Sequence, residues 1–220
     1  MKRGLSMPIC LLLCAALALS CFAAAETSGA VKTLQDLGFK IDTALLSELA
    51  GEYGMTVDLL TADDVLLLLG LGKFDYDSFE WTPLSDQVYA FDAEIFDVDH
   101  MYTLFLQGVD AVVPDVVIGD IREDLSQMTD ELTESEDYRT PPTDGRRSVS
   151  FTCNGHPYFI ELDSYGDWFN EEMLLFMDEV LEEENCPLQL YEYRVYWQFV
   201  IVVYTARETA EKLKEHLTIY

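Results

Sequence analysis

The chain has 220 residues, half of them hydrophobic, and sets 41 acidic residues against 13 Lys and Arg, a net charge of −28. So negative a surface disfavours nucleic acid, whose phosphates need a basic face, and is repelled by anionic membrane or wall polymers. It attracts a basic protein or peptide, or divalent cations.

Lys2 and Arg3 form a charged start, Leu5 to Ala25 carries no charge, and Ala23-Ala24-Ala25 offers a small-residue cleavage site before Glu26. This pattern reads as a secretory signal peptide over 1–25. All acidic residues follow it, so the mature chain of about 195 residues is two units more negative. That length suffices for one sizeable core. Leu17-Ala18-Leu19-Ser20-Cys21 also resembles the bacterial lipobox, in which Cys21 would carry a lipid. Ala18 stands where that motif usually has Leu, and Phe22 is an unusual successor. Secretion with cleavage after Ala25 is the preferred reading; a cell-surface protein lipid-anchored at Cys21 is the alternative. No later stretch reaches the ~20 apolar residues of a transmembrane helix.

Residues 26–72 read as a small helical region. Val31 to Phe39 forms a helix stopped by Gly38. Asp42-Thr43 caps a second, ended by Gly51 and Gly54. Thr61 caps a third, with Asp63 and Asp64 in its first turn, where the helix dipole favours acids. The region has too little apolar face to stand alone and should pack on the rest of the chain.

Residues 73–220 read as an α+β domain. Phe74 to Pro83 is a connecting turn, and Gln87 to Phe96 alternates as a strand. Asp97 or Asp99 caps a helix through about Val112, closed by Pro114, before a strand at Val116 to Ile121. Glu123 to Arg146 is acidic and holds Pro141-Pro142 and Gly145, so it reads as a flexible acidic loop.

Val149, Phe151 and Cys153 alternate with Ser148, Ser150 and Thr152, a half-buried strand. Asn154-Gly155 suits a two-residue type I′ turn into a return strand carrying Tyr158, Ile160 and Leu162. Asp167 N-caps a helix with Phe169, Met173, Phe176, Met177 and Val180 on its apolar face. Leu188 to Thr205 divides into two strands around a turn near Arg194–Trp197 that lacks Gly, Asn or Pro. Phe199 to Val203 is continuously apolar, as a strand covered on both faces requires. Thr205 and Glu208 match a capping box for a last helix. Strand, aspartate cap, helix, proline and strand occur in Gln87–Ile121 and again in Pro157–Tyr193. The expected fold is therefore a largely antiparallel sheet of about five or six strands, with helices packed on it.

Chemistry is sparse. His100, His156 and His216 fall in no metal-ligand spacing, and no Cys-x-x-Cys, Gly-x-Ser-x-Gly or phosphate loop occurs. No catalytic residue or cofactor is assigned. Asp75 to Glu80 begins like a calcium-binding EF-hand loop, but Phe79, Glu80 and Asp86 break the motif. Glu182, Glu183 and Glu184 crowd a helix C-terminus against its dipole, so Ca²⁺ or a basic partner would relieve them. Cys153 and Cys186 could form a disulfide. Tyr191, Tyr193, Tyr196 and Trp197 could make an aromatic sheet face. The leading reading is an exported, acidic, non-enzymatic binding or interaction protein of the bacterial cell surface or extracellular space. The alternatives are an extracellular hydrolase using a carboxylate pair, and an inhibitor or immunity-type protein that binds a basic partner.

Overall fold

The computed structural model describes residues 29–75, 80–95, 97–133 and 143–219. The leader with Cys21, most of the calcium-like stretch and residues 134–142 lie outside them. Three helices come first: α1 (Ala30–Asp36), α2 (Thr43–Glu52) and α3 (Ala62–Gly70). A short ribbon of β1 (Lys73–Asp75) and β2 (Glu80–Thr82) follows, then β3 (Val88–Asp92), a 3-10 turn (Val98–His100) and α4 (Met101–Val112). The chain continues through β4 (Ile118–Thr133), β5 (Thr143–Cys153), β6 (His156–Ser164), α5 (Glu172–Glu183), β7 (Gln189–Val195), β8 (Phe199–Thr205) and α6 (Arg207–Lys214).

The fold is α+β, and every strand pair is antiparallel. Six strands divide equally between two sheets, ordered β3-β8-β7 and β4-β5-β6. The division follows from the repeated strand–helix–strand unit. β3-α4-β4 carries the chain from the first sheet to the second, and β6-α5-β7 carries it back. Helix α4 packs on β3 and β4, and α5 on β6 and β7, so the two helices form a layer between the sheets. The first helices and α6 cover the outer face of the β3-β8-β7 sheet.

Strand β8 is central. Phe199, Ile201 and Val203 face the outer helices, while Val200, Val202 and Tyr204 face the inter-sheet core. Each fully buried aliphatic side chain contributes about 1.5–3 kcal/mol relative to exposure. Helix α3 is buried along its whole length and lies against β3 and β8, with α1 and α2 outside it. The helical region therefore shares one core with the sheet. No described helix is long and apolar enough to cross a membrane.

Local signals fixed many boundaries. Asp42 accepts from the Ala44 and Leu45 N–H groups, and Thr61 forms a full capping box with Asp64. Asn154 (φ 50°) and Gly155 (φ 84°) make the expected left-handed turn. Three expected caps are replaced. Asp97 pairs with His100 ahead of α4 and makes no side-chain cap. Asp167 is exposed, and the Asn170 carboxamide oxygen accepts the Glu172 N–H instead. Helix α6 starts beyond Thr205 with no side-chain cap, and Glu208 bonds Lys212 one turn on.

The expected loop over 123–146 is strand wherever it is described, because β4 runs to Thr133 and β5 begins at Thr143. Gly145 is absorbed as an irregularity at φ 123°. A Cβ there would lie 2.3 Å from the Gln127 carbonyl oxygen, so only glycine lets the two strands meet. The partner that orders this stretch is Arg147, whose side chain is 1% exposed, as Glu123 is 3%. Arg147 Nη1 lies 2.9 Å from Glu123 Oε2 and also donates to the Val98 carbonyl, and the guanidinium carbon is 5.5 Å from the Tyr102 ring centroid. Glu123 Oε1 accepts the Thr103 N–H at 2.7 Å in the first turn of α4. Strand β4 thus caps a helix that lacks a cap of its own.

Arg147→Met should cost about 3–5 kcal/mol, because it leaves the Glu123 carboxylate buried without its counter-charge. Adding Glu123→Gln should recover most of that loss, since the amide oxygen still accepts the Thr103 N–H. Urea unfolding of the single and double variants measures this; a double variant as unstable as the sum of both singles would show that the pair does not act as a unit.

Candidate functional site

The β7–β8 hairpin closes through Tyr196, Trp197 and Gln198, with Val195 opposite Phe199. Tyr196 and Trp197 both sit in the left-handed region, at φ 48° and 70°. An L-residue there costs about 1–2 kcal/mol, so the surroundings must hold it. The Tyr196 hydroxyl donates to Asp64 Oδ1 at 2.6 Å, and burial with that carboxylate raises its pKa. Asp64 is itself fixed by Thr61. The Gln198 carbonyl accepts the Ala93 N–H, and its side-chain amide donates to both oxygens of Asp92 at 3.0 and 2.9 Å. Arg194 donates to the Trp197 carbonyl. The loop is tied on every side, yet the Trp197 side chain is 73% exposed.

A second segment lies alongside. The Asp167 carbonyl accepts the Ile95 N–H, and the Ala93 carbonyl accepts the Phe169 N–H. These bonds place Trp168, 44% exposed, two strand positions from the loop. Arg194 pairs with Glu171 at the start of α5. One turn on, Leu175 is 63% exposed. Glu94 and Asp167 are exposed carboxylates within this surface. Burial raises the Asp92 carboxyl above its usual value, against the opposing hydrogen bond from Gln198.

The expected aromatic face is split. The Tyr193 hydroxyl donates to the Ala210 carbonyl inside the core, Tyr191 packs against the outer-helix cluster, and Tyr196 is the loop's anchor. Only Trp197 projects. The sequence marked it through a turn with no residue that prefers positive φ. Trp168 and Leu175 carried a fainter signal: an apolar residue beside the exposed Asp167, and another on the polar side of an amphipathic helix.

Glu184 ends α5 and turns inward. It accepts from the Tyr158 hydroxyl at 2.7 Å and from Asn154 Nδ2 at 3.1 Å, and lies 2.7 Å from His156 Nδ1. Those bonds hold its carboxyl below the usual range. The strain of three acids at a helix C-terminus is thus relieved in part by the protein's own donors. Glu182 and Glu183 remain exposed. Among the described residues no group of three His, Cys, Asp or Glu side chains is placed to hold a metal ion. Cys153 and Cys186 are both thiols. Burial, with Glu184 and Cys186 adding to it, pushes Cys153 up to about 12, and burial also raises Cys186. His100 pairs with Asp97, and His216 is exposed beyond the last helix.

A carboxylate-pair hydrolase needs two acids facing one cleft. An open cleft of about 660 Å³ lies between α2, α3 and the 83–86 segment, with Ile41, Leu45, Leu69 and Leu84 in its wall. Lys40 and Asp86 pair at its rim at 2.7 Å. The three raised carboxylates among the described residues lie elsewhere: Asp63 bonds Thr218, Asp92 bonds Gln198, and Asp178 stands on α5 beside Glu192.

Burial and Glu192 lift Asp178 to about 6, and its Oδ1 is buried without a hydrogen-bond partner. A carboxyl with a raised folded pKa binds its proton more tightly in the folded state, so stability falls as pH rises from about 4 to 6. Asp178→Asn should therefore raise Tm at pH 7.5, and the difference should vanish below about pH 4. A pH-independent difference in calorimetry would show that this carboxyl is not the cause. Comparison of the chain with protein-family models, with curated proteins and with solved structures finds no match to any of them.

Proposed function

We propose that the chain is an exported, non-enzymatic binding protein of the bacterial cell surface or extracellular space, whose acidic exterior selects a basic protein or peptide. The observation that carries this reading is the placement of the charge. Among the described residues Asp63, Asp64 and Asp144 are the buried carboxylate residues, and the side chains of Glu123 and Glu184 are enclosed by donors. The other described acids reach the surface, against few surface cations. Long-range attraction of that kind speeds encounter with a cationic partner and weakens with salt. The scattered raised carboxylates give less support to a hydrolase.

Immobilised mature chain should retain basic proteins from its native cell-surface fraction at low ionic strength and release them at high ionic strength. Retention of the same set at both, or of no basic protein at all, would count against the reading.

A further inference from the structure

We infer that the surface formed by the Tyr196–Gln198 loop, Asp167–Trp168 and the start of α5 is the docking site for an extended, lysine- or arginine-bearing segment of a partner protein. The inference rests on the proposed binding of a basic partner and names where on this chain that partner sits.

Among the described residues seven large hydrophobic side chains are exposed, and three of them, Trp168, Leu175 and Trp197, lie on segments that main-chain bonds and the Arg194–Glu171 pair join here. Clustered apolar exposure of this kind marks interaction surfaces, whereas single exposed residues do not. Glu94 and Asp167 stand among them as exposed acids. The cation at this end, Arg194, is already committed to Glu171 and to the Trp197 carbonyl. The patch is therefore aromatic and negative together.

A Lys or Arg side chain meets both features at once. Its charged head is attracted to an indole face and to a carboxylate at the rim, while its alkyl stem covers Trp and Leu surface. The two indoles spring from segments two strand spacings apart, about 10 Å. Side chains three residues apart on a peptide extended as polyproline II share one face and stand about 9 Å apart. The loop's conformation fits a presenting role. Five hydrogen bonds hold a strained turn that leaves a large aromatic residue 73% exposed, which stability alone does not favour.

The test uses the mature chain and a labelled 12-residue peptide with Lys at every third position in an Ala-Ser background, beside its Glu counterpart, read by fluorescence anisotropy at low ionic strength. The wild type should bind the Lys peptide and not the Glu peptide. Trp197→Gly should weaken binding at least tenfold while raising Tm by about 2–4 °C, because glycine accepts the left-handed turn without strain. Trp168→Ala should weaken binding as well. Glu52→Gln, on the exposed side of α2, should bind like the wild type. Wild-type affinity in both tryptophan variants, or an equal loss in Glu52→Gln, would overturn the inference and leave the binding of basic partners to the exterior at large. A fall in Tm with Trp197→Gly would assign the indole a structural role and overturn it too. Failure of the wild type to bind the Lys peptide would overturn the inference together with the proposed function.

Discussion

A buried guanidinium–carboxylate pair fixes how the layers of this molecule meet. Removing two charges from water costs several kcal/mol for each, and only dense pairing offsets it. Arg147 gains a carboxylate, a main-chain carbonyl and the face of Tyr102; Glu123 gains Arg147 and an N–H in the first turn of α4. The pair therefore joins β4, β5, the 3-10 turn and α4 at one point. Strand β4 pairs irregularly with β5 at three places. A slip of one residue would turn Glu123 out to solvent and leave both the arginine and the helix end unsatisfied. The tie reaches the surface as well. The Tyr102 hydroxyl accepts the Asn170 N–H, and the Asn170 side chain holds the Asp163 carbonyl and the first turn of α5. Trp168 is thus held by a chain of bonds that begins in the core.

The two crossovers explain the division into two sheets. Each strand–helix–strand unit buries the helix between sheets, so the returning strand joins the opposite layer. A single sheet of six strands would leave α4 and α5 with one face each to cover. Here each helix is covered from two sides, which widens its buried stripe, although α5 still keeps an exposed face with Glu172, Leu175, Glu179, Glu182 and Glu183. Leu174 and Leu181 of α5, three residues before and four after Met177, widen its buried stripe beyond the residues first picked out. The strand β8 obeys the same logic on the other side, with alternate residues given to two separate cores.

Elements with strong local patterning were legible: α3 with its capping box, the Asn154-Gly155 hairpin, and β8. What escaped was decided by distant partners. Residues 123–133 look like a solvated acidic loop because their acids are counted without Arg147. The clue was one step of alternation, since Arg147 falls in phase with Val149, Phe151 and Cys153. The caps at Asp167 and Thr205 failed for a related reason. Asp167 is spent on a main-chain bridge to Ile95, which delays the helix to Glu172. Glu208 has a lysine one turn away that competes for its carboxylate. Of the candidate site, Trp197 could be suspected from its turn, but Trp168 and Leu175 join it only through pairing between segments far apart in sequence.

Net charge alone does not say where a partner would sit, because the acids do different work. Asp42 caps α2, Asp64 closes the capping box on the Thr61 N–H, Asp63 holds the Thr218 N–H, Glu123 offsets Arg147, and Glu184 gathers three donors. Glu182, Glu183 and many other exposed acids lie outside the Trp168–Trp197 region, where charge keeps the protein soluble and attracts cations without direction. Directed binding needs apolar area beside charge, since apolar contact resists salt and sets geometry while charge sets sign. Glu94 and Asp167 meet that condition, because pairing between the 93–95 and 167–169 segments sets them beside Trp168 and the Trp197 loop. The Ala93–Gln198 bond that helps hold the strained loop also ties it to the 93–95 segment on which the Trp168 segment pairs, so the cost in stability and the proposed gain in recognition are linked.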